Sequence, residues 1–397
     1  MLLNKGALLF ALFIISILFE RLPPFSGIGP ISMTDILVVV GVIIILKDRF
    51  EGVQVLLPSS IFRLSLFILL ISFLAVITGL FTDFTQRTLI FSLSMTLKFL
   101  FINVFIYFAV KYRPEISKVD FILKSYVLII FTIVALQYLG VPIWGGGEGS
   151  PAAFYNGRNE LIIMFLPIAL YVSYKNKPSL LFILISFTTL IMSRGRSGLL
   201  IFVLISTFIL FQKKEYRKYI PFIVCLIGIL IFLLPVEIYD AMYYRFVLSV
   251  GAESDESRGS TGIRTVLYEN IYRILSDGYG YQNTLIGIGE GGFRNLSQSF
   301  YGMKEMGYES LQPHNTYLAL LVNFGVISLI SYLCFASLTL LNLFKKRNYI
   351  FMFVCLAIFF NLLFMDFVAR YSIYLMVVLI LYQNTNYPIV ESKKEDT

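Results

Sequence analysis

The sequence predicts an all-α integral membrane protein with about twelve transmembrane helices and one large loop on the outer face. Three observations lead to this prediction. Hydrophobic residues make up 58% of the chain and charged residues only 14%, whereas soluble domains carry about 25% charged residues. Apolar stretches of helical length recur along the whole chain, as a hydrocarbon core about 30 Å thick requires. The period-two alternation of an outer-membrane strand is absent.

The apolar stretches divide the chain into three parts. We expect an N-terminal membrane bundle at 1–236, a large periplasmic loop with catalytic elements at 237–315, and a C-terminal bundle with a short cytoplasmic tail at 316–397. The predicted spans are 7–20, 31–46, 62–81, 88–110, 119–139, 159–174, 178–193, 198–212, 219–236, 316–344, 349–367 and 371–386. The long stretch at 316–344 is expected to start as a helix at the interface before it crosses the membrane.

Basic residues in the short connections predict the orientation. Alternate connections carry sixteen of them: Lys47, Arg49, Lys111, Arg113, Lys118, Lys175, Lys177, Lys213, Lys214, Arg217, Lys218, Lys345, Lys346, Arg347, Lys393 and Lys394. The intervening connections carry six: Arg21, Arg87, Arg158, Arg194, Arg196 and Arg370. Cytoplasmic loops are enriched in basic residues, so we expect both termini in the cytoplasm. The net charge of +8 is then largely a topology signal and does not indicate nucleic acid binding.

The basic residues of the outer connections are all arginines, whereas the cytoplasmic set has twelve lysines and four arginines. Arginine presents a planar fork of donors that binds phosphate in bidentate fashion. Candidate phosphate-binding residues are Arg194 and Arg196, in a hairpin between two spans, and Arg158, at the start of the sixth span. The alternative is that these arginines only extend towards the interface. Lys98 lies in the middle of a span, and its role stays open.

The large loop is expected to contain short helices. Residues 265–275 have apolar residues at helical spacing after a plausible helix start. Residues 287–293 (Gly-Ile-Gly-Glu-Gly-Gly-Phe) superficially match a dinucleotide fingerprint. That motif requires a βαβ unit, so a tight turn that shapes the loop is the better interpretation.

His314 is the only histidine in the chain and lies where the loop meets the next apolar helix. One interpretation is a polar cap at the start of that helix. The other is a general base, because imidazole, with an ordinary pKa of about 6.5, accepts a proton near neutral pH. A base together with arginines on the same face suggests transfer of a group from a phosphate-linked donor to a hydroxyl. The sequence shows no strong pair of carboxylates that would favour glycoside hydrolysis.

Four elements occur in an order that resembles a known family. They are Ser193-Arg194-Gly195, Gly262-Ile263-Arg264, the glycine turn that ends at Phe293, and Pro313-His314-Asn315-Thr316-Tyr317-Leu318. Nine residues then separate Asn315 from Gly325. This ordered set is similar to the O-antigen polymerase and O-antigen ligase superfamily. The resemblance covers roughly residues 150–370 by motif and the whole chain by topology.

The resemblance implies a GT-C-like fold and a metal-independent, inverting glycosyltransferase without a cofactor. Its donor would be an undecaprenyl-pyrophosphate-linked glycan at the periplasmic face of the bacterial inner membrane. His314 would be the general base, and Arg264 with Arg194 or Arg196 would neutralise the departing pyrophosphate. Asn315 and Tyr317 would support the site.

We expect a polymerase of O-antigen or capsular repeat units, whose donor and acceptor are both lipid-linked and whose partner is a chain-length-regulating co-polymerase. The first alternative is an O-antigen ligase that transfers the glycan to lipid A-core. A transporter, such as a lipid-linked sugar flippase, is the alternative from another class. The long one-sided loop argues against a transporter, because alternating access requires a site near the membrane midplane.

Overall fold

The computed structural model describes residues 5–20, 22, 32–52, 66–67, 69–71, 73–74, 77–78, 86–112, 116–141, 143, 151–155, 158–175, 177–194, 196–212, 214–221, 224–225, 228, 271–272, 284–288, 315–362, 375–377 and 379. Within these residues the structure is helical and contains no strand. The prediction of an α-helical protein is therefore confirmed for the described part of the chain. Of the predicted loop at 237–315, the structure describes residues 271–272, 284–288 and 315.

Nine α-helices are described over their full length. They are α1 Lys5–Leu18, α2 Met33–Phe50, α3 Gln86–Tyr112, α4 Ile116–Tyr138, α5 Arg158–Tyr174, α6 Leu180–Met192, α7 Arg196–Gln212, α8 Thr316–Lys345 and α9 Tyr349–Asn361. A short 3-10 helix, Lys214–Tyr219, follows α7. These helices coincide with nine of the predicted spans to within a few residues, except that α9 ends at Asn361 and not near 367.

Two described helices are long and apolar enough to cross a membrane by length and composition. They are Lys118–Tyr138 and Thr316–Lys345, and six shorter apolar helices of 10–17 residues accompany them. The predicted spans 62–81, 219–236 and 371–386 are described only in part, and their described residues are helical. The structure thus fits an α-helical membrane protein, while the number of twelve spans stays a prediction.

Aromatic side chains hold the N-terminal helices together. Phe10 of α1 stacks on Phe105 of α3 at 4.6 Å between ring centroids, and Phe13 lies 5.7 Å from Phe108. All four side chains are buried, and close van der Waals packing of this kind holds helices together within a membrane. Other helices instead expose large apolar residues, including Ile43 at 58% and Leu200 at 58%. Exposed apolar surface of this extent is typical of a membrane contact.

Two partly buried ion pairs stabilise one end of the bundle. Lys111 of α3 contacts the Asp48 carboxylate of α2, and the Tyr107 hydroxyl donates to the same carboxylate at 2.5 Å. Lys175, just after α5, binds both carboxylate oxygens of Asp120 in α4 at 2.6 and 2.5 Å. Both lysines belong to connections that the sequence predicts to be cytoplasmic.

Four helices, α5, α7, α8 and α9, pack around a common core. Helix α9 packs against α5, α7 and α8. Tyr171 near the end of α5 stacks on Phe351 near the start of α9, and Phe208 near the end of α7 stacks on Phe353. Helices α5 and α7 are therefore antiparallel to α9. Their starts lie at the end of the bundle where α9 finishes, opposite the ion pairs.

Candidate functional site

Helix α8 is broken at Gly325 into two arms. Gly325 has φ 77° and ψ 177°, values outside the helical region. Tyr317 and Tyr332 nonetheless have ring centroids only 6.0 Å apart, although a straight helix would separate these residues by about 22 Å along its axis. The arms 316–324 and 326–345 therefore fold towards each other as a helical hairpin. The sequence predicts that the stretch at 316–344 starts as a helix at the interface before it crosses, and the structure divides it at Gly325. The second arm, with 20 residues, has the length of a span by itself.

The start of the first arm is fixed to the end of α9. The Thr316 amide donates to the Leu362 carbonyl at 3.0 Å, and the Tyr317 hydroxyl donates to the Phe359 carbonyl at 2.8 Å. Tyr332 and Phe359 also pack edge to face at 6.3 Å. The Tyr317 hydroxyl therefore ties the start of the arm to α9, through a contact that no local sequence pattern indicated. Its supporting role in the site stays a prediction.

Asn315 is the N-cap of this arm. Its side-chain oxygen accepts hydrogen bonds from the Tyr317 amide at 2.9 Å and the Leu318 amide at 3.1 Å. It thereby satisfies two of the four amides that a helix start leaves without partners. Asn315, the residue after His314, is thus the cap of this helix. His314 itself, like Arg264, lies outside the described residues.

The three candidate phosphate-binding arginines of the outer connections, Arg158, Arg194 and Arg196, have backbone positions at the same end of the bundle. Helices α5, α6 and α7 meet closely there, because a Cβ on Gly198 would lie 2.6 Å from Ile162 and 3.3 Å from Leu190. Arg158 and Arg196 are the first residues of α5 and α7, and the structure describes them by their backbone alone. Since α5 and α7 are antiparallel to α9, these helix starts share the end of the bundle where α9 finishes and the hairpin begins.

Arg194 adopts an uncommon backbone conformation. It follows the last turn of α6 with φ 55°, and its amide donates to the Ile191 carbonyl at 2.8 Å. Glycine is the usual residue at such a position, because the left-handed conformation costs other residues about 1 kcal/mol or more. The Nε atom of Arg194 is buried and has no hydrogen-bond partner among the described residues. A strained residue with an unused buried donor is suited to an anion.

The segment in front of Arg158 is held by side chains of α4. Gln137 binds the amides of Ala152 and Ala153 at 3.0 and 2.9 Å and donates to the Ala153 carbonyl at 2.7 Å. The hydroxyls of Tyr155 and Tyr126 lie 2.6 Å apart, and burial raises the pKa of Tyr155 well above its usual value. These contacts fix the approach to α5.

The described part of the large loop contacts the hairpin at its turn. The Ile288 amide donates to the Val322 carbonyl at 3.0 Å, and Ile288 is 7% exposed. Gly287 and Ile288, the first two residues of the glycine turn predicted at 287–293, therefore pack against α8; the rest of that turn lies outside the described residues. The sequence marked this turn and Gly325 separately, and neither pattern indicated that they touch.

Comparison with known proteins gives one result. Residues 181–333 match the sequence profile of the family described as "O-Antigen ligase". The chain carries a domain of the O-antigen polymerase and ligase superfamily. The matched part of this O-antigen ligase domain runs from α6 across the large loop into the second arm of α8, and it is less than half of the chain. No curated protein matches the sequence.

Similarity to this family over residues 181–333 implies a glycosyltransferase-like activity in bacterial polysaccharide biosynthesis, in a membrane protein that handles lipid-linked glycans. Of the predicted site residues, the domain includes Arg194, Arg196, Arg264, His314, Asn315 and Tyr317, whereas Arg158 precedes it. No group of three or more His, Cys, Asp or Glu side chains suited to a metal occurs among the described residues.

Proposed function

We propose that the protein is a polymerase of O-antigen or capsular repeat units. It transfers an undecaprenyl-pyrophosphate-linked glycan to a hydroxyl of another lipid-linked repeat unit. The observation that supports this most is the convergence of Arg194, the helix starts at Arg158 and Arg196, and the capped helix start at Asn315 on one end of the bundle. The family match supports the reaction class.

The proposed chemistry needs a base and an anion clamp. The acceptor hydroxyl attacks the anomeric carbon of the donor, and the bond from that carbon to the pyrophosphate oxygen breaks. The hydroxyl proton passes to His314, and undecaprenyl pyrophosphate leaves with the bonding electron pair. Attack from the face opposite the leaving group inverts the anomeric configuration. No metal is required, because arginines placed before the reaction stabilise the charge that develops on the leaving group.

Arg194 is the described residue best suited to the clamp. Its buried Nε lacks a partner among the described residues, so a phosphate oxygen would satisfy a donor that is otherwise costly to bury. Arg264 and either Arg196 or Arg158 complete the clamp in this proposal. Asn315 and Tyr317 support it by fixing the helix that begins two residues after His314.

We further propose that this end of the bundle faces the periplasm, with both termini in the cytoplasm and the loop 237–315 above the site. The ion-paired end, which carries Lys111 and Lys175, would face the cytoplasm in keeping with the basic residues found there. A GT-C-like arrangement and a chain-length-regulating co-polymerase complete the proposal.

The polymerase proposal is tested by gene deletion and complementation. A polymerase-null cell caps its lipid A-core with a single repeat unit, whereas polymer should return with the wild-type gene and not with His314→Ala. Equal membrane levels of both proteins serve as the control. Restoration of polymer by His314→Ala would exclude the histidine as the base. Retention of anomeric configuration in the purified reaction would exclude the single-displacement mechanism.

An O-antigen ligase is the second candidate, favoured by the description of the matched family. Its acceptor would be lipid A-core, so deletion would leave bare core and accumulate lipid-linked polymer. The same deletion strain therefore separates the two activities. The family match gives no support to the flippase alternative.

A further inference from the structure

The turn of the helical hairpin and the large loop approach each other backbone to backbone. A Cβ on Gly287 would lie 2.3 Å from the Asn323 carbonyl oxygen and 2.4 Å from the Phe324 nitrogen. A Cβ on Gly325 would lie 2.1 Å from the Leu285 carbonyl oxygen. The two glycines therefore form a reciprocal contact, in which each occupies the space beside the other's chain.

Side-chain adjustment cannot make room for a larger residue at either position. The obstructing atoms belong to the backbone, so the two segments themselves would have to separate. Both glycines also have positive φ, +81° at Gly287 and +77° at Gly325. The same contact includes the hydrogen bond from the Ile288 amide to the Val322 carbonyl, which would be lost if the segments moved apart.

The contact lies between two parts of the proposed machinery. Arg264 precedes residues 284–288 in the same loop, and the arm 316–324 begins just after His314. The contact at Gly287 and Gly325 is the described connection between that loop and the arm. A change of about 1 Å in the relative position of reacting groups can cost about 100-fold in rate.

We propose that Gly287 and Gly325 are positioning residues, whose lack of a Cβ docks the loop segment 284–288 on the hairpin and sets the geometry between the loop and the arm that follows His314. This inference rests on the proposed function for its catalytic consequence. The docking itself is measurable without any substrate.

Gly140 provides a matched control. It has the same φ of +81°, but a Cβ there would meet nothing within 4 Å. Gly140→Ala therefore introduces the same backbone strain as Gly287→Ala without the steric contact. Asparagine tolerates positive φ better than alanine and still carries a Cβ. Gly140→Asn should therefore restore the stability that Gly140→Ala loses to backbone strain. Gly287→Asn should lose the contact with the hairpin as Gly287→Ala does.

The experiment uses the full-length protein in nanodiscs and two readouts. Hydrogen exchange measures protection of the Ile288 amide, and a transfer assay with lipid-linked repeat units measures kcat and KM. We expect Gly287→Ala, Gly287→Asn and Gly325→Ala to lose protection at Ile288 and about 100-fold in kcat. Both Gly140 variants should retain protection, and Gly140→Asn should retain kcat.

Three results would overturn the proposal. Retained protection in both Gly287 variants would show that the contact does not depend on the missing Cβ. Lost protection with wild-type kcat would show that docking has no part in positioning. If the wild type transferred glycan to neither a lipid-linked repeat nor lipid A-core, the proposed function would fail and the catalytic role of the glycines with it. The exchange data would still report the docking.

Discussion

Arg194 and Arg347 form a natural pair for testing the anion clamp. Each directly follows the C-cap of a helix, with φ of 55° and 54°. Each amide donates back into the helix, to Ile191 at 2.8 Å and to Phe344 at 2.9 Å. The two residues differ in their position in the bundle: Arg194 lies at the end where the active site is proposed, and Arg347 is exposed at the opposite end of the bundle.

Replacing either residue by glycine should relieve the left-handed strain and stabilise the fold. We expect each change to raise the free energy of unfolding by about 0.5–1 kcal/mol. This is the strain energy of the left-handed conformation minus the entropic cost of glycine's greater freedom in the unfolded chain. The effect on activity should differ. Arg194→Gly removes a cation from the leaving group and should lower kcat about 100-fold, whereas Arg347→Gly should leave it unchanged.

The assay combines equilibrium unfolding in mixed micelles with transfer kinetics on lipid-linked repeat units. Arg194→Lys adds a second comparison, since it keeps the charge and loses the planar fork. It should therefore fall between the wild type and Arg194→Gly. A wild-type kcat in Arg194→Gly would remove Arg194 from the clamp. An equal loss of activity in Arg347→Gly would assign the effect to the backbone change and refute the reasoning.

Three further changes test other parts of the structure. Asn315→Ala removes an N-cap and should lower the unfolding free energy by about 1 kcal/mol, increase hydrogen exchange at the first amides of α8 about fivefold and reduce activity. The control Asn348→Ala removes the cap of α9 and should leave activity intact. Equal activity losses in the two variants would contradict the positional role of Asn315. Tyr317→Phe keeps the aromatic ring and loses the hydrogen bond to the Phe359 carbonyl, so the unfolding free energy should fall by about 1 kcal/mol. An unchanged unfolding curve would contradict this prediction. Burial would raise the pKa of Asp48, but its hydrogen bonds from lysine and tyrosine hold that pKa below the ordinary 3.8. Its contribution to stability is therefore full at neutral pH and is lost as the pH falls through the lowered pKa. Asp48→Asn should flatten the acid limb of a pH–stability curve, and an unaltered limb would reject this assignment.

The sequence anticipated the helices better than their shapes. The ends of α3 to α7 fall close to the predicted boundaries, because the length of an apolar stretch and the charges beside it are local properties. For the stretch at 316–344 the sequence predicts a start at the interface before the crossing, and an isolated glycine such as Gly325 within an apolar pattern does not by itself indicate a reversal. Its reversal depends on Tyr332, Phe359 and the loop near Gly287, which are distant in sequence.

At the candidate site, too, the sequence predicts local properties but not the contacts between distant residues. The sequence identified His314, Arg194, Arg196, Arg158 and Arg264 by residue type and by the side of the membrane predicted for them. It did not indicate that Arg194 is left-handed, since arginine rarely adopts that conformation and no composition rule signals it. It also left open whether His314 caps the helix or acts as a general base. The hydrogen bonds of Asn315 show which side chain reaches the amides of the first turn, and the role of His314 as a base stays a prediction.

The sequence by itself determined the class of the protein, the approximate helix boundaries and the connections that share one end of the bundle. These follow from hydrophobic length and charge distribution, which each short segment carries alone. Only the tertiary structure decided that α8 folds back at Gly325, that its start is tied to Leu362, and that Gly287 lies against its turn. Such contacts join residues far apart in the chain, and they form where two backbones can approach without a side chain between them.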